Sequence, residues 1–238
     1  MPSRKLKPIL ILSGGGLVAD RVCARLLARS LPKSKRLLYI PVAMRHGPRS
    51  FGECWDWADT LYRRVGISRF DMWTDLEGRH FSELAPYGAV LFGGGNTFAL
   101  AEEVKRTGFL GVLFGFLASG GIYAGGSAGA ILAGADIRTA SLCGDKNKIR
   151  ISQFEGLGLL RNWSIAAHYT DEMRDDLVNQ ARSLRLKILA LSGNCAVRVS
   201  DEQISTFGGP AVTVTTAGTF SNSPENFRSF TKVKSIRK

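Results

Sequence analysis

Short apolar runs alternate along the first half of the chain with segments in which apolar residues recur every three or four positions. A continuous apolar run is typical of a parallel strand covered on both faces, and a spacing of three and four is typical of a helix. The predicted strands of this kind are residues 9–12, 37–42, 89–92, 122–123 and 163–167. Helical spacing occupies residues 18–27, 51–65 and 97–105, and a further apolar segment spans 109–117.

The second half has a different pattern. Residues 138–154 are polar and irregular, which predicts a loop with room for one short strand, and Thr170 is expected to cap a helix. Apolar runs separated by turn residues predict short strands at 196–199, 204–207 and 211–215. No linker divides the chain. We therefore expect residues 1–238 to form a single three-layer α/β domain with a mostly parallel sheet, helices on both faces and an antiparallel extension near the C-terminus.

The composition is that of an ordinary globular protein. Hydrophobic residues make up 45% and charged residues 22% of the 238 positions, which excludes disorder for most of the length. No apolar run approaches the roughly 18 residues of a membrane helix, and no leader pattern follows the first apolar run. We therefore expect a cytoplasmic protein with no membrane partner.

The net charge of +12 is concentrated at the two ends. Eight positive charges lie in residues 1–7 and 226–238, which contain no acidic residue, and we expect these basic tails to be flexible. Such arms can bind polyanions, but no zinc-finger, RNP-like or basic-zipper pattern is present, so nucleic acid is not a favoured partner. A positive field equally suits acidic small substrates.

The four cysteines, Cys23, Cys54, Cys143 and Cys195, are widely spaced. In a chain of this size, such spacing favours reduced, mostly buried thiols over disulfides or a zinc site.

A glycine-rich turn around Ser127 is the first candidate for chemistry. Residues 125–129 read Gly-Gly-Ser-Ala-Gly between a short apolar strand and a helical segment, which is the context of a nucleophile elbow. A nucleophile on such a tight turn adopts unusual backbone angles, and side chains at Gly125 and Gly129 would clash. The alternative is a tightly packed or phosphate-binding turn in which Ser127 only caps the helix.

A second glycine turn, residues 93–95, also ends a predicted strand and precedes a helix. Its amides should therefore lie at the same edge of the sheet as Ser127. One donor from Gly94 or Gly95 and another from Ala128 could bind an oxyanion. The alternative is a phosphate loop, although neither turn has a P-loop or dinucleotide-fold ending.

A serine nucleophile needs a base, and the chain contains three histidines. His46 and His80 lie in polar contexts that indicate surface positions. His168 follows the strand predicted at 163–167 and precedes a helix, which places it at the same edge as Ser127. A half-buried structural histidine is the alternative reading.

With these glycine turns and His168, the sequence resembles the serine peptidase family of dipeptidase E and cyanophycinase. Residues 91–98 (LFGGGNTF) are similar to its glycine-rich segment, and residues 123–130 (YAGGSAGA) to its nucleophile elbow. Segments 137–139, 156–159 and 168–169 follow in the family's order, so the resemblance extends from about residue 8 to 215. It implies a fold related to class I glutamine amidotransferases.

The resemblance also implies residue roles: Ser127 as the nucleophile and His168 as the general base. Dipeptidase E has an Asp closely after its Ile-Arg-Thr segment, where this chain has residues 140–142 (ASL). The matching acid is then Asp145, with Asp136 as the alternative. The resemblance further implies substrate contacts by Asn96 and Arg174. A departure from many relatives is Asn194, which stands near the place of a Glu.

We therefore predict a serine peptidase that hydrolyses small aspartyl peptides and needs no metal or organic cofactor. Two alternatives stay open: an esterase or amidase on the same scaffold, and a binding protein that keeps the elbow without a working triad. The sequence also leaves the oligomeric state open, a homodimer included.

Overall fold

The alternating sequence pattern becomes alternating strands and helices in the computed structural model, which describes residues 8–200 and 203–220. The basic tails predicted at 1–7 and 226–238 lie outside the described residues. The strands are β1 (Leu10–Ser13), β2 (Arg36–Ile40), β3 (Phe70–Met72), β4 (Tyr87–Phe92), β5 (Ile122–Gly126), β6 (Trp163–Tyr169), β7 (Lys187–Ser192), β8 (Cys195–Ser200), β9 (Gln203–Gly208), β10 (Ala211–Thr215) and β11 (Gly218–Phe220). The α-helices are α1 (Leu17–Ser30), α2 (Phe51–Arg64), α3 (Thr97–Arg106), α4 (Phe109–Ala118), α5 (Ala128–Leu132) and α6 (Arg174–Ser183).

The strands form two sheets. The main sheet has the order β3-β2-β4-β5-β1-β8-β9. Its strands from β3 to β1 are parallel, whereas β8 pairs antiparallel with β1, and β9 with β8. The second sheet, β11-β10-β7-β6, joins one parallel pair, β6 and β7, to antiparallel strands. The predicted α/β class, with a mostly parallel sheet and an antiparallel C-terminal part, is confirmed, although the sequence pattern did not predict a separate second sheet.

Buried residues on the two faces of the main sheet belong to two separate cores. Ile11 of β1 joins one core with the buried faces of α1 and α2, while its neighbours Leu10 and Leu12 join the other with α3, α4 and α5. This alternation follows from the two-residue period of a strand. A third core lies between the second sheet and α6. Because both faces of the main sheet are covered, the ends of its strands are the places left open for a site.

The polar segment 138–154 is irregular, as predicted, and the short strand for which the pattern left room does not form in this described segment. It begins with a 3-10 turn at Arg138–Ser141. An isolated antiparallel β-bridge pairs Asp136 with Glu155, just outside the two ends of the segment. The Asn147 side chain bonds the backbone N–H and C=O of Ile151, which closes the loop locally in place of strand pairing.

The helix predicted after Thr170 begins as a 3-10 turn at Asp171–Met173 and becomes α-helical at Arg174. The Thr170 side chain makes no capping hydrogen bond, which differs from the expectation. The three-residue strand β3 was not predicted, because a run this short lacks a readable period.

The cysteine prediction is confirmed: all four are free thiols, and Cys23, Cys54 and Cys195 are buried. Within residues 8–200 and 203–220, no helix is long and apolar enough to cross a bilayer.

Candidate active site

The glycine turns predicted from the sequence meet at one edge of the main sheet. Strands β4, β5 and β1 are parallel neighbours, so their carboxyl ends lie side by side. Residues 93–95, Ser127 and residues 14–16 follow these three ends in turn. The second sheet adds one side chain to this edge, that of His168 in β6. Three loops and a strand from another sheet therefore build a single site.

Ser127 sits on a strained turn between β5 and α5. Its φ of 49° and ψ of −108° are backbone angles that a side-chain-bearing residue adopts only when the surroundings enforce them. An added Cβ at Gly125 would lie 2.4 Å from the Gly129 backbone, and one at Gly129 would lie 2.3 Å from the carbonyl oxygen of Phe92. Both flanking positions therefore require glycine, as the elbow pattern predicted.

The Ser127 hydroxyl is hydrogen-bonded to the imidazole of His168, with 2.8 Å between Oγ and Nε2. His168 also has a positive φ, 53°, and the pairing of β6 with β7 is irregular between Ala166 and Tyr169. Its backbone N–H donates to the carbonyl of Gly14 at 2.9 Å, which ties the second sheet to the end of β1. The sequence predicted that His168 follows the end of a strand, but the residue lies inside β6. His46 and His80 are exposed, as predicted.

Gly15 is a site residue that sequence reasoning missed. A Cβ added there would lie 2.5 Å from Cε1 and 3.0 Å from Nε2 of His168, and 2.9 Å from Cβ of Ser127. The residue also has a φ of +80°, which favours glycine. Gly15 thus leaves the space in which the hydroxyl and the imidazole meet. The glycine run at 14–16 was the available signal, but nothing local connects it to His168.

Among the residues that the structure describes, Asp145 makes no hydrogen bond to the imidazole of His168. Its Oδ2 accepts a hydrogen bond of 2.8 Å from the backbone N–H of Thr97, at the start of α3. Desolvation raises the pKa of Asp145, whereas Thr97 and the positive charge of His168 act in the opposite direction. Desolvation likewise lowers the pKa of His168, and the Asp145 carboxylate opposes this. The two side chains therefore interact electrostatically.

The alternative acid, Asp136, is engaged elsewhere. Its carboxylate accepts hydrogen bonds from both Nε and Nη2 of Arg138, at 3.0 Å and 2.6 Å, and from the Arg138 backbone N–H at 2.8 Å. A carboxylate held by a guanidinium fork in this way is a structural ion pair. Asp136 is thus bound to Arg138, whereas Asp145 is the carboxylate that opposes the lowering of the His168 pKa.

Three backbone N–H groups of the glycine turn and the elbow have no hydrogen-bond acceptor in the described part of the chain. Within the described residues, the N–H groups of Gly94, Gly95 and Ala128 donate no hydrogen bond. An added Cβ at Gly94 would lie 3.5 Å from Cβ of Ser127, and Ala128 is the first residue of α5. Unpaired amides beside a nucleophile are the donors that acyl-transfer sites use.

Asn96 and Arg174 do not reach the cavity at Ser127 in the described structure. The Asn96 side chain accepts from the N–H of Ala99 and donates to the carbonyl of Lys146, so it caps α3. Arg174 is exposed at the start of α6. The sequence resemblance placed both residues at the substrate, but in this chain a helix end and a surface position account for them.

The cavity beside Ser127 has a volume of about 310 Å³. Besides Ser127, His168 and the glycine turns, its lining includes Asp20 from α1, Arg49 from the loop before α2, and Tyr39 near the end of β2. Sequence reasoning missed these three side chains, because they come from separate elements without a local motif. No group of three or more metal-ligating side chains occurs among the described residues.

Comparison with known proteins finds relatives by sequence and by fold. The model of peptidase family S51 matches residues 9–207. Peptidase E of Streptomyces coelicolor is 32% identical over 146 residues, which are 59% of this chain and 54% of that protein. Peptidase E of Citrobacter koseri is 31% identical over 134 residues, which are 52% of this chain and 56% of that protein. The matches thus span about half the length of these curated relatives.

A crystal structure of a peptidase from an acI-B1 Actinobacterium superposes on this fold. Its TM-score is 0.68, and the match covers 92% of this chain and 98% of that one. At 18% sequence identity, this likeness concerns the fold alone.

Proposed function

The chain belongs to peptidase family S51, and from that premise we propose that it is a serine peptidase that hydrolyses small aspartyl peptides at Ser127. The observation that carries the proposal is the 2.8 Å contact between Ser127 Oγ and His168 Nε2 on a strained elbow. A nucleophile and a base within hydrogen-bond reach are the minimum machinery for acyl transfer.

In the proposed reaction, Ser127 Oγ attacks the peptide carbonyl while His168 Nε2 takes the hydroxyl proton. The carbonyl oxygen becomes an oxyanion, which the amides of Gly94 or Gly95 and Ala128 stabilise, by about 3–4 kcal/mol for each donor. His168 then gives its proton to the departing amine, and the C–N bond breaks. A water molecule hydrolyses the resulting ester by the same two steps.

Asp145 is proposed to stabilise the imidazolium that forms when His168 takes the proton. The reason is electrostatic: a nearby carboxylate favours the charged imidazole, and the interaction raises the pKa of His168. The backbone N–H of Thr97 holds Oδ2 of this carboxylate, which limits its movement.

Two experiments test the proposal. A fluorophosphonate probe should label folded protein at Ser127, and Ser127→Ala should abolish both labelling and hydrolysis. A panel of aspartyl dipeptides and simple esters should show faster hydrolysis of the dipeptides. Faster ester hydrolysis would favour the esterase alternative instead. If Ser127 in folded protein is not labelled, the result would favour a binding protein without a working triad. That alternative is consistent with the lack of a hydrogen bond between Asp145 and His168.

A further inference from the structure

The side chain of Asn96 joins two parts of the chain at the start of α3. Its Oδ1 accepts a hydrogen bond of 2.9 Å from the backbone N–H of Ala99, and its Nδ2 donates one of 2.9 Å to the backbone carbonyl of Lys146, the residue after Asp145. We infer that Asn96 is a positioning residue, whose side-chain amide fastens the loop of Asp145 to α3 and so keeps this carboxylate in place to act on His168. This inference rests on the proposed function and adds a residue that acts through Asp145.

The Asp145 loop, residues 144–150, has little structure of its own to hold it. It contains no helix or strand, and most of its residues are exposed. The backbone N–H of Asp145 donates to the carbonyl of Ala140 at 3.0 Å, a contact within the same irregular segment. Among the described residues, the hydrogen bonds of this loop to another element come from the side chain of Asn96 and the backbone of Thr97. The start of α3 is therefore what fixes the loop to the rest of the fold.

The backbone of Asn96 is itself firmly held. Its N–H donates to the carbonyl of Ala43 at 2.8 Å, and its C=O accepts from the N–H of Leu100 at 3.1 Å. A Cβ added at the preceding residue, Gly95, would lie 2.3 Å from the same Ala43 oxygen, so the turn and its neighbour are closely packed. A side chain on a fixed backbone, with a partner on both its oxygen and its nitrogen, is suited to hold a loop in one place.

Two restraints on consecutive residues fix the carboxylate better than one. The backbone N–H of Thr97, in the first turn of α3, has no partner within the helix and donates to Asp145 Oδ2 at 2.8 Å. Asn96 holds the backbone one residue further along, so the loop cannot turn about this single bond. The electrostatic interaction of Asp145 with His168 falls with the distance between the two charges, and loss of the second restraint therefore weakens it.

Serine and alanine at position 96 separate this role from helix capping. Asn96→Ser keeps an oxygen that can cap α3, but its single short hydroxyl cannot also serve Lys146, whereas Asn96→Ala loses both contacts. We expect kcat on an aspartyl dipeptide to fall about 2- to 10-fold in both variants, the change that one neutral hydrogen bond makes in an equilibrium. The free energy of unfolding should fall clearly in Asn96→Ala alone. If Asn96→Ser keeps the parental kcat, Asn96 is only a cap and the inference is overturned.

A double-mutant cycle identifies the residue through which Asn96 acts. In Asp145→Asn protein, adding Asn96→Ser should change kcat by less than about twofold, because the charge that the loop positions is already absent. The same loss of kcat with and without Asp145 would overturn the inference, and so would a raised KM with the parental kcat, which would assign Asn96 to the substrate. Asn162→Ser is the matched control, because it makes the same change at an exposed turn, and it should keep both constants.

Titration of the His168 imidazole by NMR tests the same point without turnover. The Asp145 carboxylate raises the pKa of His168, so release of the loop in Asn96→Ser should lower that pKa, in the direction expected for Asp145→Asn. An unchanged titration of His168 in folded Asn96→Ser would overturn the inference. Fluorophosphonate labelling of the parent protein reports separately on Ser127. Because the NMR titration needs no activity, the proposed function and this inference can fail independently.

Discussion

Replacement of Gly15 by alanine should affect the contact between Ser127 and His168, the proposed nucleophile and base, separately from the stability of the fold. The new Cβ would lie 2.5 Å from Cε1 of His168, and an ordinary van der Waals contact begins at 3.4 Å. The imidazole must therefore move by roughly 1 Å, and the 2.8 Å contact with Ser127 Oγ would be lost. Displacement of a catalytic group by about 1 Å can reduce the rate about 100-fold.

The substitution has two effects, one on the free energy of unfolding and one on kcat. The φ of +80° at Gly15 imposes a backbone cost of about 1–2 kcal/mol on any other residue, and this cost affects the free energy of unfolding. The collision with His168 affects kcat. We therefore expect kcat on an aspartyl dipeptide to fall about 100-fold, with a small change in KM.

Gly66→Ala is the control for the backbone effect. Gly66 has a φ of +87°, but a Cβ added there meets nothing within 4 Å. It should lose similar stability in urea unfolding and keep its activity. If Gly15→Ala folds and retains kcat within about threefold of the parent, the reasoning that Gly15 positions His168 is refuted.

Three further predictions concern the ionisable groups of the site. Asp145→Asn should lower kcat by about 10- to 100-fold, the range of a charge interaction at moderate distance, and an unchanged kcat would remove Asp145 from the mechanism. Because desolvation lowers the pKa of His168 and only the neutral ring can act as a base, the pH–rate profile should rise to its plateau with an inflection below the ordinary 6.5. Asp145→Asn should move that inflection lower still, and an inflection above about 7 would contradict the assignment. Burial raises the pKa of Asp20 from 3.8 to about 6, so the folded protein holds this proton more tightly, and the ionised group destabilises the fold above pH 6. Asp20→Asn should therefore unfold at higher urea than the parent at pH 8, by up to about 3 kcal/mol, and the difference should vanish near pH 4. A difference that does not vary with pH would show that Asp20 is not desolvated.

The elbow could be predicted from the sequence because its requirements are local. Gly125 and Gly129 surround Ser127 at fixed intervals, and the structure gives each glycine a backbone neighbour within 2.4 Å of an added Cβ. The parallel strands and the edge that carries the turns could be predicted from continuous apolar runs that end in glycine turns, whereas the order of the strands could not. His168 could be placed at that edge, although not inside a strand.

The remainder of the site depends on contacts between residues that are distant in the chain. Asp20, Arg49 and Gly15 reach the cavity from three separate segments, and no spacing in the sequence relates them to Ser127. For Asn96, the sequence resemblance implied a substrate contact. In the folded chain its side chain caps α3.

The sequence by itself determined the class of fold, the elbow and the candidate base, since each of these depends on the conformation of a few consecutive residues. Only the tertiary structure decided that an irregular strand of the second sheet would bring an imidazole within 2.8 Å of the serine, and that a carboxylate and a guanidinium would line the cavity beside it. The physical reason is that packing between layers, which sets those distances, is a property of the whole chain.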